Sequence, residues 1–174
     1  MERTPTIVLT GGPCAGKTSS LTRIKSWLTE MGFTPLMAPE MATMLIETGY
    51  GPTMPGFQSE LFRLQHALEA RCQSAATNLK AGAKKPIVVL DRAPIDTKAY
   101  TEAGTFSDIL AAMGVQEARL LERYDAVLHL RTVAYGAEHF YTLENNAARR
   151  EGTPAEARAQ DDATLQAWLP HPHL

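Results

Sequence analysis

The sequence contains little cysteine. Only Cys14 and Cys72 occur among its 174 residues, which does not suggest a disulfide framework or a zinc site. Cys14 lies in a glycine-rich stretch, where we interpret it as a small loop residue. A position at the start of a helix can lower the pKa of a thiol, but no other feature of the sequence indicates a redox role.

Long hydrophobic runs are also lacking. The first apolar run covers only residues 7–9. A signal peptide needs an apolar stretch of about 7–15 residues, and a membrane helix needs about 20. A cytoplasmic location without a membrane span is therefore the expectation.

The chain has no large excess of either charge. Its net charge is −2, whereas proteins that bind nucleic acid usually present a basic face, so a nucleic-acid partner is not expected. Hydrophobic residues make up 44% and charged residues 21% of the chain, values typical of a soluble domain. A chain of this length can form one domain with a single core, here over residues 1–174.

Short β-rich runs alternate with helical stretches along the chain. This pattern predicts an α/β fold with a parallel sheet. The predicted strands cover residues 6–9, 33–38, 87–90 and 126–130. The third of these is apolar throughout, as expected for a strand covered by helices on both faces.

The helix after the first strand is expected to bury one face against the sheet. Its apolar residues recur at helical spacing, with Trp27 beside them: Leu21, Ile24, Leu28 and Met31. Further helices are predicted from residue 57 to 79 and from residue 154 to 169.

A phosphate-binding motif follows the first strand. The stretch "GGPCAGKT" matches G-x-x-x-x-G-K-[ST], in which small residues let backbone N–H groups surround a phosphate chain. The helix that begins near Lys17 adds the positive end of its dipole. Lys17 can reach the β- and γ-phosphates, and Thr18 can ligate Mg²⁺. The predicted nucleotide-binding residues are Gly11, Gly12, Pro13, Cys14, Ala15, Gly16, Lys17, Thr18 and Ser19.

Charged residues follow the strand "PIVVLD". Asp91 ends this strand at the sheet edge where a second acidic group would join the Mg²⁺ shell; the alternative is an aspartate that caps the next turn. Arg92 could contact phosphate or pair with a carboxylate. Asp96 is either a helix cap or part of the substrate site.

Two residues are candidates for the acceptor side. Glu40 follows the second predicted strand, where a carboxylate could accept the proton of an attacking hydroxyl. The alternative is a surface glutamate near a helix start. Gln65, on the long helix, is a candidate for contact with the acceptor.

The chain turns polar between residues 131 and 153. We interpret this segment as a lid whose Arg149 brings positive charge to the transferring phosphoryl group; a solvated charge run is the alternative. Sheets of this kind usually have one more strand and a closing helix. The sequence therefore represents either a minimal form or a chain that lacks its last strand and helix.

Several segments together resemble a known family. These are "TGGPCAGKT", "PE" at Pro39 and Glu40, "DRAPID" and "GAEHFYTLENNAARREG". They resemble the AAA_28-type P-loop ATP/GTP-binding domains, which include the N-terminal domain of TTD14-like proteins. They are also similar to the ribosylnicotinamide kinase domain of bifunctional NadR proteins. The resemblance implies a nucleoside-kinase-like P-loop NTPase fold, a three-layer α/β/α structure that binds ATP or GTP with Mg²⁺.

The resemblance and the residues leave two functions open. One is a small-molecule kinase that transfers the γ-phosphoryl group to a hydroxyl of a nucleoside-like acceptor. The other is a nucleotide-dependent switch or slow NTPase with no acceptor. The predicted lid and the acceptor-side helix favour the kinase. Its chemistry is assigned to Lys17, Glu40, Asp91, Arg92 and Arg149, its metal to Thr18 and Asp91, and its substrate to Glu40, Gln65, Arg92 and Asp96.

Overall fold

Four parallel strands form the centre of the molecule. The computed structural model describes residues 3–82, 84–136 and 152–174. Within these ranges the strands are β1 (Thr6–Gly11), β2 (Thr34–Ala38), β3 (Pro86–Asp91) and β4 (Ala126–Leu130), arranged in the order β2-β3-β1-β4. Strand β1 therefore lies between β3 and β4, and all neighbouring pairs are parallel.

Helices connect the strands. They are α1 (Lys17–Glu30), α2 (Met41–Glu47), α3 (Phe57–Ala81), α4 (Ala103–Met113), α5 (Glu117–Leu121) and α6 (Pro154–Trp168), with a 3₁₀ helix over Pro94–Tyr100. No helix in the described ranges combines the length and the apolar character needed to cross a bilayer.

The helices cover both faces of the sheet. On one face, Leu28 of α1 packs on Ile87 and Val89. On the other face, a larger core joins the sheet to α3, the 3₁₀ helix, α4 and α6, with Phe62 and Trp168 fully buried. The result is the predicted three-layer α/β/α arrangement, since a strand apolar on both faces needs a helix layer on each side.

Helix α1 differs from its prediction at two positions. Leu28 is buried and Leu21 and Ile24 pack beside it, but Met31 is 63% exposed and Trp27 is 53% exposed. Met31 lies at the C-cap, beyond the last turn that contacts the sheet. The Trp27 ring lies outside the contact and is instead covered by the Arg23 guanidinium, 5.2 Å from its centroid.

The sheet order explains where a ligand can be held. The loop after β1 has the end of β3 on one side and the end of β4 on the other. Ligands of open parallel sheets bind at the carboxyl ends of the strands. Residues that follow β3 and β4 can therefore act at the loop that follows β1, and a residue that follows β2 can contact those that follow β3.

Candidate nucleotide and phosphoryl-transfer site

The phosphate loop joins β1 to α1, as the motif predicts. Gly16 precedes α1 with φ 73°, a left-handed conformation that suits glycine. The Lys17 Nζ group folds back over the loop and donates hydrogen bonds to the carbonyl oxygens of Gly12, at 3.0 Å, and Gly11, at 3.3 Å. Thr18 and Ser19 follow in the first turn of α1 and are exposed.

The loop is closely packed on its β4 side. A Cβ on Gly11 would collide with the carbonyl oxygen of Leu130, and a Cβ on Gly12 would lie 2.6 Å from that of Asp161. Two glycines are therefore required here because of the close approach of β4 and α6. The Thr132 hydroxyl also donates a hydrogen bond to the carbonyl oxygen of Pro13, at 2.5 Å.

Arg92 links two carboxylates on the β3 side of the loop. Its Nε donates to Glu40 Oε1 at 3.1 Å, and its Nη1 lies 3.6 Å from Asp96 Oδ1. The guanidinium carbon also lies 5.7 Å from the Tyr100 ring centroid. Its backbone has φ 67°, an uncommon value for a residue with a side chain. The structure thus holds a largely buried arginine directly after β3 at the expense of local strain.

Asp96 has a structural partner on each oxygen. Oδ1 accepts a hydrogen bond from the Thr10 hydroxyl, and Oδ2 accepts one from the N–H of Ala93 at 2.8 Å. The residue is 2% exposed. Asp96 therefore both caps the 3₁₀ helix and orients Arg92. These contacts leave its role as a substrate ligand a prediction.

Glu40 and Lys17 have pKa values displaced from their ordinary ones. Burial alone would raise the pKa of Glu40, but the charges of Arg92 and Lys17 and a hydrogen bond from Thr43 hold it below its usual value. Glu40 is thus ionised at neutral pH. Burial and the charge of Arg92 lower the pKa of Lys17 to about 8.

Asp91 contrasts with Glu40. It is 9% exposed, and its Oδ1 has no hydrogen-bond partner among the described residues. Burial and the nearby charge of Glu40 raise its pKa to about 6. A buried carboxylate oxygen without a donor is available to a ligand.

The residues present suit Mg²⁺. Asp91 supplies the unpartnered carboxylate and Thr18 an exposed hydroxyl. Mg²⁺ takes oxygen ligands and is commonly held by one or two carboxylates together with substrate phosphates. In the described ranges no cluster of three or more His, Cys, Asp or Glu side chains could hold a metal without such help. The donor set therefore fits a metal that arrives with a phosphate chain.

The remaining predicted residues lie in different places. Gln65 is buried on α3, with no hydrogen-bond partner for Oε1 in the described part of the chain. Arg149 lies outside the described residues, as does most of the predicted lid, so their roles stay predictions. Residues 131–136 and 152–153 of that segment flank the gap.

Sequence reasoning missed Asp161, which is fully buried on α6 and bonded to the N–H of Gly12 at 2.8 Å. The signal was the helical spacing of the buried residues around it. Ala157, Thr164 and Trp168 lie four residues before and three and seven residues after it. A carboxylate on the apolar face of a helix needs a partner.

The comparisons with known proteins concern the family and the fold of the chain. Residues 6–174 match the model of the AAA_28 family, which is described as an AAA domain. The chain belongs to this family. No curated protein matches the chain by sequence.

Two of the solved structures that resemble this AAA_28 chain are NadR and a deoxyadenosine kinase. The crystal structure of NadR protein in complex with NR superposes with a TM-score of 0.60 at 15% identity, over 97% of this chain and 44% of NadR. The chain thus spans less than half of NadR. Deoxyadenosine kinase from M. mycoides with bound dATP superposes with a TM-score of 0.53 at 15% identity, over 96% of this chain and 86% of that one. These likenesses confirm the nucleoside-kinase-like P-loop fold.

Proposed function

We propose that the protein is a Mg²⁺-dependent kinase that transfers the γ-phosphoryl group of ATP or GTP to a hydroxyl of a nucleoside-like small molecule. The observation that carries the proposal is that the two carboxylates beside Lys17, those of Glu40 and Asp91, have pKa values shifted in opposite directions. Glu40 is ionised and oriented by Arg92, whereas Asp91 has an unpartnered oxygen. Two carboxylates in different environments suit two roles.

The nucleotide side of the site rests on the phosphate loop. In the free protein, Lys17 donates to the carbonyl oxygens of Gly11 and Gly12. A phosphate chain would replace these neutral acceptors with negatively charged oxygens, so that the attraction between opposite charges would add to the hydrogen bonds of Lys17. The family and the structural neighbour with bound dATP support nucleotide binding here.

Asp91 and Thr18 are the residues that would hold Mg²⁺. The ion, when bound with the nucleotide, would neutralise charge on the phosphate oxygens. Asp91 must then be ionised, which its pKa of about 6 allows at neutral pH.

The acceptor side rests on Glu40. Its carboxylate accepts from Arg92 through one oxygen and from the Thr43 hydroxyl through the other, at 3.1 and 3.0 Å. Each oxygen retains a further lone pair that can accept a hydrogen bond from an acceptor hydroxyl. Because phosphoryl transfer depends mainly on positioning and electrostatics, Glu40 would orient this hydroxyl and take its proton. The largely buried Arg92 would stabilise negative charge nearby.

The experiment that tests the proposal measures transfer of phosphate from the nucleotide to an added hydroxyl compound. The protein is incubated with labelled ATP or GTP, Mg²⁺ and a pool of nucleosides, ribosides and other small alcohols, and the products are separated. We expect a phosphorylated acceptor. If phosphate passes only to water at a rate that no acceptor changes, the protein is a slow NTPase or switch.

Glu40→Gln tests the assigned role within this assay. The variant keeps the shape of the side chain but removes its basicity, so transfer should fall by about a hundredfold or more while nucleotide affinity changes little. Glu47→Gln, at an exposed position on α2, is the matched control. Equal losses of transfer and nucleotide binding in Glu40→Gln would indicate a structural role.

A further inference from the structure

The peptide unit between Gly11 and Gly12 is held from both sides. Its carbonyl oxygen, on Gly11, accepts a hydrogen bond from Lys17 Nζ at 3.3 Å. Its N–H, on Gly12, donates to Asp161 Oδ1 at 2.8 Å. Because a peptide unit is planar, the ammonium group on one side and the carboxylate on the other select the same orientation.

The surroundings of Asp161 keep its carboxylate in the ionised form, which can accept hydrogen bonds through both oxygens. The His129 Nε2–H group donates to Oδ1 at 3.1 Å, and Arg131 Nε lies 3.1 Å from Oδ2. Burial alone would raise the pKa of Asp161, but the hydrogen bonds from His129 and Gly12 and the charge of Arg131 hold it below the ordinary value. The carboxylate is therefore ionised at neutral pH.

A peptide between two glycines needs such support. Neither residue has a Cβ, so the local backbone alone permits more than one orientation of the intervening peptide. Rotation of this peptide by half a turn would direct the Gly11 carbonyl oxygen at the Asp161 carboxylate. It would also direct the Gly12 N–H toward the Lys17 ammonium group. Both new contacts would be repulsive.

We propose that Asp161 is a positioning residue that locks the Gly11–Gly12 peptide, so that Lys17 and the phosphate loop are preorganised for a nucleotide. This inference rests on the proposed binding of a nucleotide by the loop. The role is distinct from that of Thr132 and Val133, which bind the carbonyl oxygens of Pro13 and Cys14. Asp161 acts on an N–H group and fixes the carbonyl that Lys17 uses.

The test compares three variants of the full chain. Asp161→Ala removes the acceptor, and Asp161→Asn keeps an oxygen that can accept from Gly12. Asp162→Asn is the matched control, because Asp162 is exposed and also pairs with Arg131, at 3.0 Å. Dissociation constants for Mg-ATP and Mg-GTP are measured by calorimetry well below the melting temperature of each variant. Hydrogen exchange of the Gly12 amide is measured by NMR without nucleotide.

We expect Asp161→Ala to weaken nucleotide binding by about tenfold or more, the scale of one lost charge-assisted hydrogen bond, and to speed exchange at Gly12. Asp161→Asn should lose less, and Asp162→Asn should match the wild type. Unchanged binding in Asp161→Ala would overturn the proposal, because Asp161 would then contribute nothing to nucleotide binding. Tighter binding would also overturn it, because the carboxylate would then act on the phosphates only by repulsion. If Asp161→Ala does not fold, Asp161→Asn decides: exchange and affinity equal to those of Asp162→Asn overturn the lock.

The readouts separate this proposal from the proposed function. Failure to find a phosphorylated acceptor leaves both measurements intact. If the wild type binds neither nucleotide, the proposed function fails, while exchange at Gly12 still decides whether Asp161 locks the peptide.

Discussion

At the scale of single residues, Asp91 shows how a site can lower stability. Its pKa of about 6 lies above the value of 3.8 for an unperturbed aspartate. As pH rises from about 4 to 6, the unfolded chain loses this proton before the folded protein does. The contribution of Asp91 to the free energy of unfolding therefore falls across this window and stays low at neutral pH.

Asp91→Asn should remove this effect. Without Mg²⁺ or nucleotide, we expect the variant to be more stable than the wild type at pH 7 and to lose this advantage near pH 4. The free energy of unfolding in urea, measured with a chelator at both values, checks this. Asp108→Asn, at an exposed site on α4, controls for the removal of one negative charge. A stability difference that does not change with pH would contradict the argument.

Arg92 is a second residue whose chemistry can be isolated. A lysine at this position carries the same charge but cannot bridge Glu40 and Asp96 with a planar fork or stack on Tyr100. The left-handed backbone at residue 92 strains arginine and lysine alike, so the substitution changes the head group alone. We expect Arg92→Lys to lower kcat by about tenfold or more, with a smaller change in nucleotide affinity.

The control for this prediction is Arg119→Lys, on the surface of α5. Arg119 pairs with Glu122 at 2.8 Å while its side chain is 74% exposed. Steady-state kinetics, with the acceptor that the transfer assay identifies, gives kcat and the KM for the nucleotide. An Arg92→Lys enzyme with the kcat of the control would mean that Arg92 contributes only charge.

At the scale of elements, the approach of α6 to the phosphate loop depends on one missing side chain. In Gly12→Ala the added methyl group would lie 2.6 Å from the Asp161 Cβ. We expect a loss of about 1–3 kcal/mol in the free energy of unfolding, the usual cost of overpacking, and weaker nucleotide binding. Gly104→Ala on α4, where an added Cβ meets no atom within 4 Å, should be neutral or stabilising by up to about 1 kcal/mol. Chemical denaturation of both variants tests the contrast.

The same elements show what the sequence could and could not predict. All four strands, the phosphate loop and α6 were predictable because each has a strong local signal, such as the apolar run of β3 or the glycine spacing before Lys17. The contact of Asp161 with Gly12 joins residues 149 positions apart. No local pattern encodes such a contact, because it depends on the sheet order that places β4 and α6 beside the loop.

Arg92 and Asp96 illustrate the same limit within the site. The sequence identified both residues, and it left Asp96 open between a cap and a ligand. Its hydrogen bond with the hydroxyl of Thr10, at the end of β1, depends on the pairing of β1 with β3. Only tertiary structure could show these contacts, and the role of Asp96 as a substrate ligand stays a prediction.

At the scale of the whole molecule, the two tryptophans report different layers. Trp168 is fully buried, 5.4 Å from the Tyr124 ring centroid, whereas Trp27 is 53% exposed. We expect Trp27→Phe to leave a blue-shifted emission that iodide quenches poorly, and Trp168→Phe to leave a red-shifted emission that iodide quenches well. Equal quenching of both variants would contradict the packing of α6. If the prediction holds, the remaining Trp168 of the Trp27→Phe variant can be used to follow unfolding of the larger core.

In the described part of the chain, β2 and β4 form the two edges of the sheet, and both edges bear on solubility. An edge strand offers unpaired N–H and C=O groups to strands of other molecules. At the β2 edge, Pro35 has no N–H to offer. At the β4 edge, the N–H of Val127 is already bonded to the carbonyl oxygen of His173, at 2.9 Å. Each edge thus carries a local obstacle to strand addition, which should help the folded protein to resist edge-to-edge aggregation at high concentration.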